Sequence, residues 1–234
     1  MHLFYTPDIE GMDYTLSAEE SKHCVRVLRL AEGENVSLVD GRGNWYNGVV
    51  ALADPKGCRV RCHEKIEHFG QRSFHLHVAI APTKNIDRIE WMLEKCTEMG
   101  IDEITMLNTA HSERKTVKDE RLQKVIVSAM KQSLKAYLPK LNPMTGFRSF
   151  IASCGEEQKF IAHCNEGVKK RLDEVYRPGK DVVILIGPEG DFSVEEVGLA
   201  EKAGFASITL GQSRLRTETA GIVVCHSIDF MNRV

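Results

Sequence analysis

Five apolar residues, Val182-Val183-Ile184-Leu185-Ile186, run directly into Gly187-Pro188-Glu189-Gly190-Asp191. A β-branched run that is apolar at every position reads as a strand buried on both faces, and such strands belong to parallel sheets covered by helices. Gly-Pro cannot carry the strand further. Ser193 and Glu196 have capping-box spacing, which predicts a helix from there to about Gly204. Residues 206–210 are the next expected strand, and Gly211 breaks it. The last helix is expected to be capped by Thr217 or Thr219, with Ala220, Val223, Val224, Ser227, Ile228 and Met231 on its apolar face. Two glycine loops thus leave the carboxyl ends of neighbouring parallel strands, the edge where open α/β sheets bind ligands. Either loop alone reads as readily as a plain turn. The second also carries Arg214, Arg216, Thr217, Glu218 and Thr219, which favours a site.

The α/β pattern begins near Phe74. Residues 74–81 read as a strand, 85–99 as a helix stopped by Gly100, and 101–107 as a strand. Residues 119–138 read as one long helix ending before Pro139, and 159–163 as a short strand; 169–175 gives no firm assignment. Upstream the signals differ. Residues 36–39, 45–52 and 58–66 read as strands joined by Asp40-Gly41-Arg42-Gly43 and Asp54-Pro55-Lys56-Gly57 turns, and Ser17 with Glu20 starts a helix over 17–28. Residues 1–69 are therefore expected to form a small β-rich barrel and residues 74–234 an α/β domain, joined by a linker around 67–73.

A chain of 234 residues and net charge −2 is no globally basic nucleic-acid binder. The charge is uneven, however. From His111 to Arg148 stand Arg114, Lys115, Lys118, Arg121, Lys124, Lys131, Lys135, Lys140 and Arg148 against Glu113, Asp119 and Glu120, the composition of a phosphate-binding patch or a solvated helix face. The seven scattered cysteines suit reduced thiols in a cytoplasm. Cys58, Cys62 and His63 are poorly spaced for zinc, and Cys58, Val60 and Cys62 alternate as a strand's inner face, so no metal is expected. No stretch is long and apolar enough for a membrane span, and the first residues show no signal-peptide pattern. There is no Gly-x-Gly-x-x-Gly after a strand and no P-loop.

Ile186-Gly187-Pro188-Glu189-Gly190, Leu210-Gly211 and Leu215-Arg216-Thr217-Glu218-Thr219-Ala220 together resemble the signature of the SPOUT methyltransferases of the RsmE type, which methylate uridine N3 in 16S rRNA. Lys84…Arg88…Leu93 to Gly100, Ser112-Glu113-Arg114, His23…Val27-Leu28-Arg29 and Asp40-Gly41-Arg42-Gly43 extend the likeness over the chain. The resemblance implies a C-terminal trefoil-knot α/β domain, an N-terminal PUA-like RNA-binding barrel, S-adenosylmethionine as cofactor and a cytoplasmic homodimer formed through the knot domain. It implies the small ribosomal subunit as partner, with the family's uridine 1498 as target. On that resemblance the cofactor is expected at Leu185, Ile186, Gly187, Pro188, Glu189, Gly190, Leu210, Gly211, Leu215, Arg216, Thr217 and Ala220. RNA is expected at His23, Arg26, Arg29, Lys118, Arg121, Lys131, Gln132 and Lys135. Arg114 is the expected stabiliser of the uridinate, and Glu218 either takes the N3 proton or caps the last helix. The sequence departs from the family pattern at Asp191, usually glycine, and at Lys135, usually arginine. Two other readings remain: an RNA-binding protein of this fold without activity, and a ribose 2′-O-methyltransferase.

Overall fold

The structure, a computed structural model, describes residues 2–233. It divides into two compact units. One runs to Gln71 and takes in Met130–Leu138; the other comprises Arg72–Ala129 and the chain from Pro139 onward.

The first unit is built on a five-stranded sheet of β1 (Leu3–Tyr5), β2 (Asp13–Thr15), β3 (Asn35–Val39), β4 (Trp45–Leu52) and β5 (Arg59–Ile66), in the order β1-β3-β4-β5-β2. Only β1 and β3 pair in parallel. On β5, Val60 and Cys62 turn inward while Arg59, Arg61 and His63 face out, as the alternation predicts. Phe4, Leu16, Cys24, Leu38, Val50 and Val60 fill the core. Helix α1 (Ala18–Lys22) starts at Ser17, whose Oγ accepts from the Glu20 amide at 3.2 Å. The expected helix over 17–28 does not stay α: His23–Val27 forms a π turn, and Arg29 follows with φ 58°.

Residues 130–138 fasten onto this unit. The Gly43 amide donates to Ala136 O at 3.0 Å and the Leu138 amide to Gly41 O at 2.9 Å. A Cβ on Gly43 would lie 2.3 Å from the Tyr137 ring, so that position admits no side chain. The single helix expected over 119–138 accordingly ends early. The chain leaves helix α3 (Asp119–Gln132) at Leu134, which takes φ 57°. Leu134 N–H then bonds Lys131 O at 3.2 Å and Lys135 N–H bonds Met130 O at 3.1 Å, a Schellman closure with leucine where glycine is usual.

The second unit carries seven parallel strands: β6 (Leu76–Ile80), β7 (Glu103–Asn108), β8 (Lys140–Gly146), β9 (Gln158–Ala162), β10 (Lys170–Arg171), β11 (Val182–Ile186) and β12 (Ala206–Thr209), in the order β10-β12-β9-β11-β6-β7-β8. Every residue of β6 and β11 is buried, as the apolar run dictates. Helix α2 (Ile86–Met99) starts at Asn85, whose side chain accepts from the Asp87 amide, and ends at Gly100. Helices α4 (Phe147–Ser153) and α6 (Val194–Lys202) supply Phe147, Phe150, Ile151 and Val197 to a core over Ala79, Val183 and Leu185. A short α5 (Leu172–Val175) follows β10. The last helix, α7 (Thr217–Met231), packs on α2, where Gly221 lets Met92 approach. Its buried set is Thr217, Glu218, Ala220, Gly221, Val224, Cys225 and Ile228; Val223, Ser227 and Met231, expected inward, are half-buried. No helix among the described residues is long and apolar enough to cross a membrane.

Candidate functional site

The strand order decides the site. β12 lies on the far side of β9 from β11, so the loops after β9, β11 and β12 stand side by side at one sheet edge. Register keeps them level: Ile186 and Ile208 both align with Ala162. With the first turn of α7 they enclose a cavity of about 550 Å³, within the range of small-molecule sites.

Of the residues expected at the cofactor, Ile186, Gly187, Pro188, Glu189, Leu210, Gly211, Leu215, Arg216, Thr217 and Ala220 line this cavity. Leu185 does not, because alternation turns its side chain into the apolar core beneath. Gly190 does not either; it packs on His111, whose Nδ1 lies 3.0 Å from Gly190 O. Neither Thr217 nor Thr219 caps α7. The N-cap is Arg216, without a side-chain hydrogen bond, and Thr217 Oγ1 instead donates to Gly187 O at 3.1 Å, tying the two glycine loops together.

Arg88 on α2, part of the family resemblance but given no role by it, also lines the cavity, as do three residues the sequence does not single out: His163 and Cys164 after β9, and Lys169. The expected strand over 159–163 was the available signal, since a parallel strand brings its carboxyl end to the same edge. Asp191 also lines the cavity and has φ 62°, a backbone state that suits glycine. Its carboxylate accepts from the Cys164 amide at 2.7 Å and the Phe192 amide at 2.8 Å, which joins the β9 and β11 loops. Ser193 and Glu196 form the expected capping box, and Glu196 also accepts from the Ala110 amide at 2.8 Å.

Glu218 is buried in the cavity wall in the first turn of α7. One carboxylate oxygen lies 3.5 Å from Arg88; the other, Oε2, has no hydrogen-bond partner among the described residues. The His163 ring is likewise buried, and its Nδ1 has no partner among the described residues. Both residues line the cavity, and a buried polar atom without a partner is the exception in a folded protein. Arg114 does not line it. Its guanidinium donates to Thr83 O at 3.1 Å and Lys84 O at 2.5 Å, clamping the loop between β6 and α2, and the Lys84 amide donates to Glu189 at 3.0 Å.

The expected RNA residues fall into two groups. His23, Arg26 and Arg29 are exposed on the π turn and its exit, in the unit that also holds Lys131, Gln132 and Lys135. Lys118 and Arg121 belong to the other unit. The basic segment is less free of acids than its sequence suggests. Arg121 pairs with Asp87 and Glu90 of α2, Lys131 with Glu20 at 2.5 Å, Lys140 with Glu103 at 2.9 Å and Arg148 with Glu195 at 2.5 Å. The neutralising carboxylates come from distant sequence, so counting charges along the segment overstated the patch.

Residues 71–229 match the family described as an RNA methyltransferase domain, and residues 16–61 match the RNA methyltransferase PUA domain. A crystal structure described as a probable rRNA-methyltransferase from Porphyromonas gingivalis is 43% identical, with a TM-score of 0.94 over 100% of this chain and 99% of that one. The ribosomal RNA small subunit methyltransferase E of Neisseria gonorrhoeae, solved with bound S-adenosylmethionine, is 25% identical, with a TM-score of 0.90 over 99% of this chain and 98% of that one. The protein of the same name from Buchnera aphidicola is 26% identical over 98% of this chain and 92% of its own length.

Proposed function

Since this chain belongs to the RNA methyltransferase domain family, we propose that it transfers the methyl group of S-adenosylmethionine to N3 of a uridine in the 16S rRNA of the small ribosomal subunit. The observation that carries this reading is the cavity at the β9, β11 and β12 loops, with the unpaired Glu218 oxygen in its wall. Its size and its backbone-rich glycine loops fit the cofactor. Ile186 to Glu189, Leu210, Gly211, Leu215 and Arg216 would hold it through backbone groups, with Thr217 and Ala220 at the floor. When bound, S-adenosylmethionine supplies an electrophilic methyl group for in-line displacement.

Uridine N3 carries a proton on the Watson–Crick edge, so the base must be unpaired and the proton must leave. Alignment supplies much of the rate of such a transfer. Glu218 Oε2 takes the N3 proton, while Arg88 holds the other carboxylate oxygen in place. Arg114 fixes the loop after β6 through the Thr83 and Lys84 carbonyls and, from its remaining nitrogen, offsets the negative charge developing on the uracil. Residues 1–69 act as the RNA-binding domain, with His23, Arg26 and Arg29 on phosphates; Lys131, Gln132 and Lys135, from the 130–138 segment of the same unit, add phosphate contacts, and residues 74–234 otherwise form the knotted catalytic domain. Lys118 and Arg121 extend the RNA contact. The enzyme works in the cytoplasm as a homodimer; Trp91 on α2 and Phe230 on α7, both exposed on helices that pack together, suit a contact with a second copy.

The test is methylation of unmodified small subunits with isotopically labelled S-adenosylmethionine, followed by nucleoside mass spectrometry. Labelled 3-methyluridine is expected. A labelled 2′-O-methylnucleoside would move the reaction to the ribose, and cofactor binding without any transfer would leave an RNA-binding protein.

A further inference from the structure

A hydrogen-bond relay starts on α6 and ends on His163, a residue that lines the cavity. Ser207 Oγ donates its one hydrogen to Glu201 Oε1 at 2.7 Å. Toward His163 Nε2, 3.0 Å away, it can then only accept. The neutral ring therefore carries its hydrogen on Nε2, and Nδ1 is a bare acceptor. That acceptor has no partner among the described residues, although His163 is only 9% exposed, and the residue lines the cavity. A buried acceptor left empty in the fold calls for something that fills it at work.

The ring's surroundings keep it neutral. Burial disfavours the imidazolium, and Lys169 from the segment after β9 adds to this. Asp191 from the β11 loop and Glu201 from α6 act the other way, and the balance holds His163 below the ordinary imidazole value. Lys169 Nζ also lies 3.3 Å from His163 O, so a second cation is unwelcome there. A neutral donor suits this position and an ammonium does not.

We infer that His163 reads the nucleoside half of the cofactor, its Nδ1 accepting a hydrogen bond from a ribose hydroxyl or from the adenine amino group. This rests on the cofactor assignment above. Glu201 and Ser207 are positioning residues: they hold the ring in the tautomer that leaves Nδ1 free. The relay thus extends the cofactor site to the end of β9, beyond the two glycine loops.

Calorimetric titration with S-adenosylhomocysteine tests the inference. His163→Phe keeps the ring's shape and should bind about tenfold more weakly, one lost hydrogen bond's worth. His163→Asn should recover most of the affinity, because its Oδ1 stands near the place of Nδ1. Wild-type affinity should hold through histidine's ordinary 6.5 and fall only as the pH drops through the ring's lowered value, and His163→Asn should flatten that fall. Three analogues identify the donor: S-inosylhomocysteine and the 2′-deoxy and 3′-deoxy forms of S-adenosylhomocysteine. The analogue whose penalty disappears in His163→Phe names the group. Wild-type affinity in His163→Phe, or three undiminished penalties, would overturn the role of His163 while leaving the cofactor site standing. A wild-type protein that does not bind S-adenosylhomocysteine would overturn both. If His163→Phe does not fold, Ser207→Ala releases the tautomer and should weaken binding severalfold; unchanged affinity there would overturn the relay.

Discussion

Single residues here work through where their polar atoms are left. Asp40 is 2% exposed, and burial alone would raise its carboxyl. Hydrogen bonds from Asn44 Nδ2 at 2.6 Å and from the Arg42 and Asn44 amides, together with the Arg42 charge, outweigh burial and hold it below the ordinary 3.8. A depressed carboxyl contributes stability that is complete above its unfolded value and vanishes as pH falls from there through the folded value. Asp40→Asn should therefore unfold at lower temperature than wild type at neutral pH, by about 1–3 kcal/mol. The gap should close as pH falls below 3.8, and a gap that stayed constant in acid would rule this account out. Glu218 differs: its burial leaves one oxygen idle. Glu218→Gln should keep cofactor affinity and lose roughly 10²–10⁴-fold in single-turnover rate at saturating RNA. Arg114→Ala should lose about 10²-fold in the same assay. A wild-type rate in either variant would remove that residue from the chemistry.

At the scale of elements, helix ends and loops show where a residue is tolerated rather than chosen. Leu134 closes α3 with φ 57° and is 41% exposed, so its side chain gains little there while its backbone is strained. Leu134→Gly should stabilise the protein by about 1 kcal/mol, seen as a higher unfolding temperature. A lower one would mean that the leucine side chain matters more than the backbone. Gly211 ends β12 with φ 135°, in the cavity wall, and nothing lies within 4 Å of where its Cβ would be. Space is therefore not the constraint; the backbone is. Gly211→Val should shift the loop and abolish S-adenosylmethionine binding in calorimetry while circular dichroism stays native. Unchanged affinity would detach that loop from the cofactor.

At the scale of the molecule, charge pairing decides which cations are available to RNA. Arg26 is exposed and carries no carboxylate partner among the described residues, whereas Arg121 is held by Asp87 and Glu90. Arg26→Ala should weaken rRNA binding and reduce the salt slope by roughly 0.7–0.9, one phosphate contact. Arg121→Ala should move it much less, because its charge is already neutralised. Equal slopes for the two variants would show that the ion pairs open on binding. The two units enter separately here: His23, Arg26 and Arg29 sit with residues 130–138 in one, and the cavity lies wholly in the other.

Apolar periodicity and turn chemistry were enough to read β11, α6, β12 and α2 from the chain, because their signals are local: a continuous apolar run, a capping box, a glycine stop. The glycine loops were legible for the same reason, whereas Glu218 was given a role only through the family resemblance. β8 and α4 were missed, since Lys140–Gly146 is a half-exposed edge strand containing Pro143 and lacks a buried strand's pattern. The end of α3 at Gln132 was decided by contacts with β-strand turns some ninety residues upstream, through Gly41 and Gly43. Strand order was decided only in three dimensions. Nothing local says that β12 returns to the far side of β9. That return brings His163 beside Ser207 in the cavity wall, because hydrogen-bond partners follow sheet order, not distance along the chain.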